Sequence, residues 1–155
     1  GAWGLGGSID FVMIPIICLA VRRGVAWGVG AGLIFGTLKY FVAAGFALNW
    51  QSIIFDYSLA YAAVGLAGAV KGTRLNRFAV GAVIGGLMRF LIHFISGITI
   101  YAQWMPEEFL NMTMTNTWMY SALYNGTYMV PNIVIAALVS PAVGAALRQV
   151  KLKNS

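Results

Sequence analysis

Five ionisable side chains lie in or at the edges of long apolar stretches: Asp10, Lys39, Asp56, Arg89 and His93. Charged groups in such surroundings are costly and mark candidate sites. Arg89 and His93 are four residues apart, Gly97 follows after four more and Tyr101 after another four, so on a helix all four fall on one face. On that stripe the glycine leaves room beside the imidazole and the tyrosine supplies an aromatic wall with a polar tip. Asp56, followed by Tyr57, begins another apolar stretch, where a carboxylate also complements the helix dipole. Tyr101, Trp118, Tyr120, Tyr124 and Asn125 gather near the same ends of their stretches. Aromatic faces around one carboxylate attract a flat organic cation, and Asn and His fix its orientation by hydrogen bonding.

Structural roles compete for each residue. Arg89 pairs with Asp56 or with backbone carbonyls, Lys39 is expected to snorkel to an interface, and Trp50 and Trp104 suit an interfacial aromatic belt. A single histidine is no metal site, and the lone Cys18 excludes a disulfide scaffold or a cysteine zinc cluster. There is no Walker loop, no His-Glu-x-x-His and no Gly-x-Ser-x-Gly, so the chain carries no signature of ATP hydrolysis, intramembrane proteolysis or esterase chemistry. Neither a metal nor a cofactor is expected.

The elements that must position these groups follow from composition. Of 155 residues, 60% are hydrophobic and 9% charged, with a mean hydropathy of +0.80, whereas an ordinary soluble domain is about 25% charged. The sequence therefore predicts an all-α, polytopic membrane bundle forming one transmembrane unit over residues 1–155, with spans at about 5–21, 25–48, 53–70, 78–101 and 118–147. The last bends around Pro131 and Pro141. The net charge of +6 reflects topology rather than nucleic-acid binding: eight of the ten basic residues fall at Arg22/Arg23, Lys71 to Arg77 and Arg148 to Lys153, alternating with loops at 49–52 and 102–117 that lack Lys and Arg. By the positive-inside rule the basic loops and the C-terminus are cytoplasmic. Five spans then put Gly1 outside, and since the start has no signal-peptide pattern, an earlier helix is expected that this chain does not include. Gly24, Gly28, Gly32 and Gly36 form a ridge for close helix packing.

Gly6 to Ile16, Arg22-Arg-Gly, Phe55-Asp-Tyr, Arg89 to Gly97 and Tyr120 to Pro131 closely resemble, in collinear order, the thiamine-specific S-components of bacterial energy-coupling-factor (ECF) transporters. The resemblance implies a six-helix bundle in the cell membrane that captures thiamine from outside and docks on a transmembrane coupling subunit driven by two cytoplasmic ATPase subunits. It implies ligand contacts at Asp56, where some relatives carry glutamate, and at Tyr57, Arg89, His93, Gly97, Tyr101, Tyr120 and Asn125, with Phe35 as a further aromatic wall. Thiamine, a thiazolium joined to an aminopyrimidine, suits Tyr101, Trp118, Tyr57 and Tyr120 for ring packing and Asp56, His93 and Asn125 for polar contacts; Arg89, a cation, would orient Asp56 or meet the hydroxyethyl end. Alternatives are an S-component for another vitamin, a gradient-driven transporter, or a structural membrane subunit in which Asp, Arg and His form an internal network.

Overall fold

The structure, a computed structural model, describes residues 7–42 and 45–153. Five helices carry the fold: α1 (Met13–Arg23), α2 (Val25–Val42), α3 (Trp50–Val70), α4 (Leu75–Thr99) and α5 (Thr117–Lys153). The last four are long and apolar enough to cross a membrane, and the chain is a multi-pass helical membrane protein. A short antiparallel hairpin, β1 (Glu108–Phe109) and β2 (Met112–Thr113), lies between α4 and α5; its tip, Leu110 and Asn111, turns with both φ angles positive.

The first helix departs from the expected span at about 5–21. It is described only from Met13, and 7–12 are not helical. Asp10 Oδ1 accepts from the Val12 amide at 3.2 Å, and Pro15 occupies the first helical turn, where it tolerates no helix upstream of it without losing a bond. At 11 residues α1 is a core helix rather than a span: Met13, Ile14, Ile16, Ile17, Cys18, Ala20 and Val21 are all buried. Tyr61 and Val64 of α3, Phe78 and Ala82 of α4, and Tyr128 and Met129 of α5 complete the core around it.

The second helix is the opposite case. Its buried residues are Gly28, Gly32 and Gly36, while Trp27, Ile34, Leu38 and Phe41 are exposed to the lipid side. The glycine ridge lies on α3: a methyl at Gly28 would overlap Gly65, at Gly32 the Tyr61 carbonyl, and at Gly36 the Tyr57 carbonyl. Backbone therefore meets backbone along the whole contact. The helix is described to Val42, and 45–48 are not helical where the span was expected to reach Leu48; the Gly45 amide bonds back to the Tyr40 carbonyl at 3.1 Å. The next helix starts earlier than expected, at Trp50. Asn49 Oδ1 accepts from the Ser52 amide at 2.9 Å while Ser52 Oγ accepts from the Asn49 amide at 3.1 Å, so the polar stretch expected as a loop is a capping box.

At the other end the two basic loops meet, the Gly72 amide bonding to the Val21 carbonyl at 2.8 Å. Gly24, with φ of +106°, makes the tight link from α1 to α2 that a residue with a Cβ rarely adopts.

The segment before α1 is held down by one side chain of α5. Asn132, fully buried, accepts from the Asp10 amide at 2.9 Å and donates to the Ser8 carbonyl at 2.7 Å. Replacing it with Leu leaves both backbone groups without these bonds, at a cost of about 2 kcal/mol. Thermal unfolding of Asn132→Leu in detergent is expected at a clearly lower midpoint with unchanged helical content. An unaltered midpoint would mean that the segment does not contribute to the folded core.

Candidate functional site

Asp56 and Tyr57 lie in a π-helical turn, Ile54–Leu59, within α3. Such wide turns are rare and recur at functional sites. In a regular α-helix residues five apart point about 140° away from each other. Here Asp56 and Tyr61, five apart, both face α4, where they meet His93 and Arg89, which are four apart. The wide turn matches a five-residue step on one helix to a four-residue step on its antiparallel neighbour.

Around Asp56 the geometry is specific. Its Oδ1 lies 3.1 Å from His93 Nδ1, its Oδ2 accepts from Ser96 Oγ at 3.1 Å, and the Tyr101 hydroxyl lies beside it and Ser52. The side chains of Asp56 and His93 are only 16% and 9% exposed. Arg89 does not pair with Asp56 directly. Its Nε donates to His93 Nε2 at 3.3 Å, its Nη2 donates to the Tyr61 hydroxyl at 3.0 Å, and its guanidinium carbon lies 4.2 Å from the Tyr61 ring centroid. Lys39, expected to snorkel outward, instead turns inward, donating to Tyr61 at 2.6 Å and pairing with Asp10 at 3.2 Å. The reason is chemical: in the last turn of α2 the ammonium meets a carboxylate and a phenol inside the bundle, and these partners offset the cost of a charge in apolar surroundings.

The outcome is an asymmetric arrangement of charge. Lys39 is paired with Asp10, whereas among the described residues Asp56 receives hydrogen bonds from a histidine and a serine, with the Tyr101 hydroxyl beside it and no lysine or arginine in contact. A carboxylate so placed presents its charge to a cation.

Aromatic residues adjoin this centre. Tyr120, Tyr124 and Tyr128 follow one face of α5, with successive ring centroids 5.6 and 6.2 Å apart, and the Tyr128 ring stands edge-on to His93 at 5.9 Å. Phe109 of the hairpin covers the end of this row farthest from His93, 5.5 Å from Tyr120 and 5.7 Å from Tyr124.

Asp56, Arg89, His93 and Tyr101 thus come together, Asn125 joins them at the His93 carbonyl, and Tyr120 is linked to them through Tyr124 and Tyr128, so several expected roles change. Asn125 bonds to the His93 carbonyl, to Ser121 and, as acceptor, to Tyr128, so its amide joins α5 to α4. Gly97 does not leave space beside the imidazole: a methyl there would overlap Ser121 Oγ, and its role is close helix approach. Trp118, 62% exposed, packs on Phe94 on the outer surface, away from Asp56. Tyr57 points toward α2, donating to the Phe46 carbonyl at 3.0 Å and packing on Tyr40, because adjacent side chains on a helix diverge by about 100° or slightly less and so meet different neighbours. Phe35 contacts Tyr61, at 5.1 Å, behind the Asp56 centre. Sequence reasoning overlooked Tyr61, Ser96, Tyr128 and Phe109. Ser96, three residues after His93, was accessible from helical spacing; Tyr61 was not, since only the π turn brings it to the Asp56 face.

Comparison with known proteins adds an independent line. Residues 2–152 match the family described as Thiamine transporter protein. Thiamine transporter ThiT of Bacillus subtilis is 33% identical over 146 residues, covering 86% of this chain and 73% of its own length. Its namesake from Lacticaseibacillus paracasei is 31% identical over 134 residues, covering 77% of this chain and 64% of its own. The solved structure of ThiT from Listeria monocytogenes superposes with a TM-score of 0.78 over 92% of this chain and 81% of that one; at 20% identity the likeness establishes the fold.

Proposed function

The chain belongs to the thiamine transporter family, and from that premise we propose that it is the thiamine-capturing S-component of an ECF-type importer in a bacterial cell membrane. The observation that carries the assignment is Asp56: a nearly buried carboxylate that accepts hydrogen bonds from His93 and Ser96, lies beside the Tyr101 hydroxyl, and has no lysine or arginine touching it among the described residues. Thiamine brings the missing positive charge in a flat ring, and Tyr101 and Tyr120 supply aromatic surface for it. Lys39, which would otherwise compete for the carboxylate, is held by Asp10 and Tyr61.

In this reading the hairpin end of the bundle faces outward and receives the vitamin, while the basic loops and the C-terminus face the cytoplasm. Energy comes from partners: a transmembrane coupling subunit and two cytoplasmic ATPases. Uptake into liposomes is then expected only when those subunits and ATP are supplied, and an ion gradient alone is not expected to drive it.

The five tryptophans provide a direct assay. Titration of the detergent-purified protein with thiamine is expected to quench their fluorescence saturably, and riboflavin and biotin to leave it unchanged. Saturation by riboflavin or biotin instead, or no response to thiamine from a cooperatively folding protein, would overturn the substrate assignment.

A further inference from the structure

Arg89 is a cation at the centre of a site that receives a cation, and its geometry indicates why it is there. We propose that Arg89 is a positioning residue that holds His93 as the neutral imidazole with its proton on Nδ1, so that His93 donates to Asp56 and the carboxylate keeps its charge for the ligand. A guanidinium nitrogen only donates. Because Arg89 Nε lies 3.3 Å from His93 Nε2, that ring nitrogen is the acceptor and carries no proton. The ring proton is therefore on Nδ1, 3.1 Å from Asp56 Oδ1. A second proton, on Nε2, would set two N–H groups against each other and place an imidazolium beside a guanidinium.

The aim of the guanidinium is set from behind. Its Nη2 is bonded to Tyr61 at 3.0 Å, the Tyr61 oxygen also receives Lys39 at 2.6 Å, and Lys39 is anchored to Asp10 at 3.2 Å. One hydrogen-bonded chain thus runs from the segment before α1, through α2, α3 and α4, to Asp56. The imidazole faces Asp56 from α3, Arg89 on its own helix, Tyr128 edge-on from α5 and, behind Tyr61, Lys39 from α2. Among the described residues Asp56 is the one anion touching the ring, and without Arg89 the pair would be free to become an imidazolium and a carboxylate bonded to each other, which spends the charge the ligand needs.

The chain has one histidine, so nitrogen-15 NMR of imidazole-labelled protein in detergent reports on this ring alone. In the unmodified protein Nδ1 is expected to appear as the protonated nitrogen and Nε2 as the acceptor, with no change between about pH 5.5 and pH 8. Arg89→Lys, which still donates to Nε2, should keep that spectrum. Arg89→Met should show tautomer exchange or ring protonation as the pH falls, and its thiamine affinity should drop about tenfold more at the acid end of that range than at the neutral end. The affinity arm rests on the thiamine assignment; the spectrum does not, so an unmodified protein that ignores thiamine overturns only the assignment. An Nε2-protonated or titrating ring in the unmodified protein overturns the proposal. So does an Arg89→Met protein whose ring signals follow the unmodified ones and whose affinity is lowered equally at every pH. Should Arg89→Met fail to fold, the unmodified and Arg89→Lys spectra decide the question by themselves.

Discussion

Asp56→Asn is expected to weaken thiamine binding at least about a hundredfold, the scale of losing a charge-assisted contact in a shielded site. The substitution is nearly isosteric and leaves an oxygen to accept from His93 Nδ1, so the contacts that position the imidazole persist. What disappears is the negative charge that His93, Ser96 and Tyr101 surround with neutral hydrogen-bonding groups. Asp56→Glu keeps the charge one methylene further from the π turn and should bind within about tenfold of the unmodified protein, by the same electrostatic reasoning. Tryptophan fluorescence measures all three, with thermal unfolding to verify the fold. Affinity within about twofold for a folded Asp56→Asn protein, where a lost charge-assisted contact should cost far more, would remove the carboxylate from the ligand site.

The second large effect concerns stability. Gly32→Leu and Gly30→Leu are the same change on the same helix, two residues apart, with opposite expected outcomes. At Gly30 an added Cβ meets no atom within 4 Å, and the leucine joins an apolar, lipid-facing surface. At Gly32 the Cβ would overlap the carbonyl of Tyr61, which is backbone and has little freedom to move. The helices must separate, at a cost on the order of 3 kcal/mol or more. Because Tyr61 receives both Lys39 and Arg89, the separation should also disturb the polar chain behind His93. Melting in detergent is therefore predicted to fall sharply for Gly32→Leu and to change little for Gly30→Leu. Equal midpoints would contradict the backbone contact between α2 and α3.

The spacing of residues carried part of this. The stripe from Arg89 to Gly97 was legible because α4 is a regular helix, where a four-residue period is also a spatial one, whereas Tyr101 lies beyond the helix end at Thr99. The glycine ridge was legible for the same reason, and its partner was not, since small residues reveal that something approaches closely without naming it. Lys39 shows the limit most directly. From sequence its long stem permits escape to an interface, and only the meeting of α2 with Asp10 and Tyr61 makes the inward path shorter. Trp118 shows the converse: aromatic and two residues before Tyr120, it faces outward because positions two apart on a helix point about 160° away from each other.

By itself the sequence determined the membrane setting, the helical class and the few polar side chains worth attention, because the cost of burying charge and of leaving backbone unpaired in lipid acts on composition and is independent of packing. The tertiary structure decided which of those side chains touch. A π turn sets Asp56 and Tyr61 against His93 and Arg89, Asn132 fastens the segment before α1, and Lys39 is diverted to Asp10, leaving Asp56 without a lysine or arginine in contact among the described residues. Those outcomes depend on where separate helices cross, and crossing is fixed by the close fit of side chains distant in sequence, which no local period encodes.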